Sequence, residues 1–299
     1  MERIPSKVPT RITLAHSPDP DDAFMWWPLG VPALGMAPAI DTGGFEFEPV
    51  AADIHELNVR AVETGDVDVT AISMFAFAHV SGRYGLTRCG ASMGDGYGPK
   101  VLATKARPAD WLAGEGLTIA VPGERTSAFL VLRLMLGTPF RFRVMHFREI
   151  IPALLQGEVD AGLVIHEAQV TYQDSGLHLV ADLGRWWTDS TGMPMPLGAN
   201  AVRRDLDDRH GTGTLSRLSG VLRASIDFAL ANRQRGLDYA MRFAEGTPRP
   251  LADRFIELYV NALTVDMGER GERSVRLLLE RAADVGLAPR LGDLPVLVG

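Results

Sequence analysis

The chain has 299 residues, 46% hydrophobic and 22% charged, with a formal net charge of −7 and a single cysteine, Cys89. That length exceeds what one hydrophobic core usually organises and predicts two lobes. The acidic balance argues against a nucleic-acid or anionic-membrane binder, which needs basic patches. One cysteine excludes an internal disulfide and a cysteine-rich zinc site.

Met1 to Thr10 carries Arg3 and Lys7 but no signal-peptide apolar region, and no stretch approaches the roughly 18 apolar residues of a membrane span. A cytoplasmic protein is the expectation. Arg11–Ala15 reads as a strand, His16–Asp22 as a loop, Ala23–Leu34 as a helix and Phe45–Ala51 as a second strand. Asp53, with Glu56 three residues on, marks the start of a helix to Thr64. Val67–Ile72 follows as a strand and Met74–Ser81 as a helix. Cys89, flanked by Arg88 and Gly90, lacks a nucleophile signature and reads as a buried, inert thiol. The glycine cluster Gly94 to Gly98 lacks dinucleotide-binding spacing and opens no helix, so it reads as a flexible turn.

A second alternating unit begins near Lys105: strand Leu117–Val121, turn Pro122–Arg125, helix Thr126–Leu136, strand Phe140–His146, a helix after Arg148 and strand Val159–Ile165. The alternation predicts a mostly parallel sheet. Apolar runs at Leu179–Leu183 and Leu197–Val202 bracket Trp186 and Trp187, and from Leu215 onward the pattern is helical.

Two stretches share one plan. After an amphipathic segment, turns on glycine lead into strands at Gly65-Asp66-Val67-Asp68 and Gly157-Glu158-Val159-Asp160, and the strands end abruptly in Ser73 and His166. Ligands of open α/β sheets gather beyond the carboxyl ends of strands, so Ser73 and His166 are expected at equivalent points facing one cleft. His166, followed by Glu167, belongs to no multiple-histidine spacing that would bind zinc, and a normal imidazole accepts a proton near neutral pH. General base and structural hydrogen-bonder are both open readings for it.

The loop His16-Ser17-Pro18-Asp19-Pro20-Asp21-Asp22 is stiffened by two prolines and presents a hydroxyl and carboxylates at a strand end. It reads as a binding loop or as an Asx turn with Asp21 or Asp22 as the N-cap. Its acids do not match a calcium-loop spacing. Thr126 and Ser127 stand at a strand-to-helix junction, placed either to bind an anionic group or simply to cap the helix. Neither Ser73 nor Ser127 lies in a nucleophile elbow, and no phosphate-binding loop ends the turn.

Several motifs occur together and in order: Ser-Pro-x-Pro-x-Asp from Ser17, Val-Pro-Gly-x-x-Thr-Ser from Val121, and Gly157 through His166-Glu167, followed by Thr171-Tyr172. Later come Asp182-Leu183-Gly184 with Trp186-Trp187, Pro194-x-Pro196-Leu197-Gly198, and Tyr259-Val260-Asn261-Ala262 leading to Gly268 and Gly271. Across nearly the whole chain this resembles the 1,4-dihydroxy-6-naphthoate synthase family of the futalosine route to menaquinone. The resemblance implies an α/β, two-lobed fold like type 2 periplasmic binding proteins, with a cleft between lobes, expected as 1–104 with 203–299 and 105–202. It implies a lyase that converts cyclic dehypoxanthine futalosine to dihydroxynaphthoate without metal or organic cofactor. His166 would be the proton-abstracting base, and Ala71, Ile72, Ser73, Thr126 and Ser127 would bind substrate, with Ser17 and Asp21 from the N-terminal loop. The expected partner is a small molecule with carboxylate and sugar-derived groups, without nucleic acid or membrane span, and a homodimer stays open.

The chain departs from the family's more usual Ser-Pro-Cys-Pro-Asn-Asp loop, having Asp19 and Asp21 where Cys and Asn would stand. An ionised Asp21 would accept hydrogen bonds but not donate them, which changes the substrate groups it welcomes. The alternatives are a non-catalytic solute-binding protein with the same clamshell plan, expected to carry an export signal, and the related chorismate dehydratase, whose usual N-terminal pattern is not found.

Overall fold

The computed structural model describes residues 9–297 other than 167 and 245, so most of the Met1 to Thr10 stretch and Glu167 lie outside the described residues. The strands are β1 (Thr10–His16), β2 (Phe45–Ala51), β3 (Val69–Ser73), β4 (Tyr84–Thr87), β5 (Ser92–Gly94) and β6 (Lys100–Ala103). They continue as β7 (Thr118–Val121), β8 (Arg141–Val144), β9 (Ala161–Val164), β10 (His178–Asp182), β11 (Met195–Arg203) and β12 (Val296–Leu297). One sheet runs β12-β4-β11-β3-β1-β2 with β5 paired to β11, and the other runs β10-β6-β9-β7-β8.

Both sheets repeat one order: β2, β1 and β3 are parallel with antiparallel β11 beside β3, and β8, β7 and β9 are parallel with antiparallel β6 beside β9. The sheets are mixed where a mostly parallel one was expected, because β6 and β11 carry the chain between them. Every residue of β3 and β9 is buried, as strands covered on both faces require. Sheet membership changes between Gly94 and Lys100 and again between Asp182 and Met195. Lys100–Ala103 and residues 195–202 therefore sit in the sheet opposite to the one expected from divisions at 104 and 202.

The helices that frame the site are α1 (Pro20–Trp26), α2 (Ile54–Glu63), α3 (Met74–Ala78), α4 (Ser127–Leu136) and α5 (Phe147–Leu155). The helix expected over Ala23–Leu34 instead starts at Pro20 and stops at Trp26, with two short 3-10 turns beyond it. Pro28, Gly30 at φ 85° and Pro32 break the periodicity there. Asp19 occupies the N-cap position and Asp21 and Asp22 the first turn, so neither Asp21 nor Asp22 is the cap.

The largest apolar cluster spans both sheets, joining Ile72 and Met74 to Phe129, Leu163 and Trp187, so the lobes share a core. The glycine cluster is a packed crossing rather than a flexible turn: the Tyr97 hydroxyl donates to the Leu258 carbonyl, and its ring meets Tyr259 edge-on at 5.5 Å. A side chain at Gly184 would place Cβ only 1.9 Å from the Tyr97 oxygen, a contact that glycine alone permits. Among the described residues no helix is long and apolar enough to cross a membrane.

Candidate active site

The carboxyl ends of four strands meet across the gap. β1 delivers the Ser17–Asp22 loop, β3 delivers Ser73, β7 leads through its turn to Thr126 and Ser127, and β9 delivers His166. All the expected site residues, Ser17, Asp21, Ala71, Ile72, Ser73, Thr126, Ser127 and His166, line one cleft of about 720 Å³, counted with its solvent-open mouth. The repeated strand order explains this convergence, since it points equivalent strand ends of the two lobes at each other.

His166 has φ 55°, a left-handed value no other described non-glycine residue adopts. Such backbone costs about 1–3 kcal/mol and persists only where the surroundings fix it. Here the imidazole is held on two sides. Its Nδ1 lies 2.9 Å from Asp19 Oδ2, and its ring packs edge-on against Phe147 with centroids 4.5 Å apart. The Ser17 hydroxyl lies 2.7 Å from Asp19 Oδ2 and 2.8 Å from Asp22 Oδ2, while the Ser17 N–H donates to Asp22 Oδ2 at 2.9 Å. Ser17 is thus committed to fixing carboxylates and not turned wholly toward a ligand.

The three acids of this loop differ. Burial works to raise Asp19, yet the charge and hydrogen bond of His166, the Ser17 hydroxyl and the Arg148 charge together hold it below the ordinary carboxylate range. Asp21 makes no side-chain hydrogen bond to another described residue; burial, then repulsion from Asp22 and Asp19, pushes it well above that range. Asp22 is raised by burial, with His16 and Ser17 opposing.

Ser73 is clamped by Asn58 of α2, a side chain with no solvent exposure. Asn58 Nδ2 donates to Ser73 Oγ and the Ser73 N–H donates to Asn58 Oδ1, both at 2.9 Å. Because Oγ already accepts, its own proton points to another acceptor. Thr126 caps α4, accepting from the Phe129 N–H at 3.2 Å while donating to the Gly123 carbonyl at 2.8 Å. Ser127 bridges the lobes: its hydroxyl accepts from the Met74 N–H at 2.8 Å and donates to the Leu197 carbonyl of β11.

Three further residues line or support the cleft that the sequence motifs did not single out by role: Asn58, Gln169 and Tyr259. With its amide satisfying all its neighbours, Gln169 donates to the Gly98 carbonyl at 2.6 Å and to Tyr259 Oη at 2.7 Å, and accepts from the His166 N–H at 3.1 Å. Gln169 therefore ties the His166 backbone to the Gly94–Lys100 crossing. Burial, with Tyr97 and Asp21 nearby, keeps the Tyr259 phenol raised and protonated. Among the described residues no group of three or more His, Cys, Asp or Glu side chains is arranged to hold a metal ion.

Two mixed sheets, two crossings and a ligand-sized cleft between the halves define the periplasmic-binding-protein fold. The alkanesulfonate-binding protein from Xanthomonas axonopodis pv. citri shares it with a TM-score of 0.66 at 13% identity, over 98% of this chain and all of that one. A crystal structure of a protein from Archaeoglobus fulgidus matches far more closely, with a TM-score of 0.82 and 42% identity over 93% of this chain and 98% of that chain. A family model described as menaquinone biosynthesis matches residues 12–284, and the chain belongs to that family. Curated relatives named 1,4-dihydroxy-6-naphtoate synthase are 41% identical in Streptomyces coelicolor and 39% identical in Thermus thermophilus. These alignments cover 94% and 93% of this chain, respectively, and 96% of each relative.

Proposed function

We propose that this chain is a 1,4-dihydroxy-6-naphthoate synthase, a carbon–carbon lyase that acts on cyclic dehypoxanthine futalosine in menaquinone biosynthesis, with His166 as the proton-abstracting base. Family membership and the two curated relatives support the activity. The observation that carries the assignment of the base is the placement of His166. A strained backbone presents its imidazole to the cleft that Ser73, Thr126 and Ser127 line from other strand ends.

In this reading Ser73, its acceptor side filled by Asn58, donates its hydroxyl proton to a substrate oxygen. The Met74 N–H, at the start of α3, and the Ser127 hydroxyl that now occupies it offer a second polar contact. Apolar walls at Ala71, Ile72 and Leu197 accommodate the ring system. The substrate is held so that the acidic C–H meets the imidazole, which takes the proton while the electron pair stays on the substrate. Orientation of the C–H against the imidazole supplies much of the rate. A cytoplasmic location follows from this reading.

The test is to incubate purified protein with cyclic dehypoxanthine futalosine and detect the naphthoate product by mass spectrometry. His166→Ala is expected to lower turnover by roughly 10²–10⁴-fold, the usual contribution of a positioned base. Full turnover by that variant removes the role from His166.

A further inference from the structure

The imidazole of His166 is not alone in the cleft. Its Nδ1 contacts a carboxylate from the opposite lobe, and that carboxylate is anchored by the Ser17 hydroxyl, which also reaches Asp22. Both partners are largely out of water, with 13% of the His166 side chain and 8% of the Asp19 side chain exposed. A chain of four groups therefore runs Asp22, Ser17, Asp19, His166, starting in the first turn of α1 and ending after β9.

We propose that Asp19 is a positioning residue: it accepts the Nδ1 proton of His166, fixes the tautomer whose basic lone pair is on Nε2, and balances the imidazolium formed when Nε2 takes a proton. This deepens the base assignment above and rests on it. The step balances. The C–H proton of the substrate passes to Nε2, the electron pair of that bond remains on the substrate carbon, and the positive charge gained by the ring lies beside the Asp19 carboxylate. No oxidant or further reactant is needed.

Three observations favour this role over a merely structural ion pair. Asp19 is held below the ordinary carboxylate range despite its burial, so it is a charged acceptor. The other loop acids are placed differently: Asp22 is engaged by the Ser17 N–H and hydroxyl, and Asp21 is raised by burial and by its neighbours' charges. The Phe147 ring and the left-handed backbone leave the imidazole little freedom to turn its other edge toward Asp19. The groups that share this environment are Ser17, Asp21 and Asp22 from the β1 loop and α1, Arg148 from α5, Gln169 beyond β9, and Tyr259. The pair spans the two halves, because Asp19 follows a strand of one sheet and His166 a strand of the other.

The test uses the full chain with labelled histidine. Nitrogen NMR of the unliganded protein is expected to show His166 protonated on Nδ1. In Asp19→Asn its titration midpoint is expected to fall by about one pH unit or more, since an adjacent opposite charge commonly shifts a pKa by about 1–3. In turnover, Asp19→Asn is expected to lower kcat by about 10²-fold with KM changed less than about threefold, and to move the acid limb of the rate profile to lower pH. Asp19→Glu, which keeps the charge, is expected to return that limb toward the wild-type position. Circular dichroism and urea midpoints confirm that both variants fold. An unmoved midpoint and unmoved acid limb in Asp19→Asn, or a loss confined to KM, overturns the proposal. A moved midpoint in a protein whose His166→Ala variant turns over normally refutes the base assignment and leaves the contact between Asp19 and the imidazole established.

Discussion

Asn58 gives the sharpest link between packing and the site. Its amide is fully buried and makes two 2.9 Å hydrogen bonds to Ser73, one to the backbone N–H and one to the hydroxyl. Asn58→Ala leaves the Ser73 N–H, on a residue only 5% exposed, without a partner. An unpaired buried donor costs about 1–3 kcal/mol, and the lost packing of the amide adds to it, so a destabilisation of about 2–4 kcal/mol is expected. Asn58→Asp also costs stability, because it buries a carboxyl, and its effect on function is read in the folded protein at a pH where that carboxyl is ionised. It keeps the acceptor for the Ser73 N–H but replaces the donor to Oγ with an acceptor, so the Ser73 hydroxyl turns its proton inward and is lost to the substrate. That variant is expected to raise KM by about tenfold, equivalent to roughly 1.4 kcal/mol of binding, with a smaller change in kcat. Urea unfolding followed by tryptophan fluorescence reads the first effect as a lower midpoint at unchanged slope. Steady-state kinetics reads the second. An Asn58→Ala protein within about 0.5 kcal/mol of wild type would refute the clamp, as would an unchanged KM in Asn58→Asp.

Two further outcomes follow from the buried titratable groups. Asp21 is raised in the fold, so the native chain holds a proton that the unfolded chain releases, and stability is lost as pH rises from the unfolded value of about 3.9 toward the folded one. Asp21→Asn is therefore expected to match wild type near pH 3 and exceed it near pH 7, gaining up to about 1.4 kcal/mol per pH unit of that window; urea midpoints at both pH values check it, and an equal gain at both contradicts it. The Cys89 thiol is 5% exposed and pushed up to about 11 by burial. At about pH 8 its thiolate fraction is roughly 10²-fold below that of an ordinary cysteine, so a disulfide reagent is expected to label it only as fast as the chain opens; labelling of the native protein within mixing would contradict its burial.

Much of the site was legible because an apolar run ending in one polar side chain is a strong local signal. Ser73 and His166 both end such runs, and both line the cleft. The Ser17–Asp22 stretch stands out by its prolines and acids, but the partner of Asp19 does not, because a contact between strand ends of different lobes leaves no spacing in the sequence. Asn58 was invisible for a related reason: an asparagine on an amphipathic helix reads as a solvated residue until the strand below supplies two partners for its amide. Gln169 and Tyr259 meet only when the Gly94–Lys100 crossing is packed, and a glycine-rich run gives no hint of such packing. The helix expected to Leu34 follows the apolar character of Trp26, Trp27 and Leu29 and gives too little weight to Pro28, Gly30 and Pro32, which end α1 at Trp26.

The hydroxyl of Ser127 rides on one half of the molecule while both its hydrogen bonds are made with the other. One side chain of the protein thus already fastens the two halves to each other at the cleft. An incoming molecule with oxygens of its own competes for the Met74 amide against a tethered rival whose local concentration never falls. A guest that takes the Met74 amide must first open that clasp.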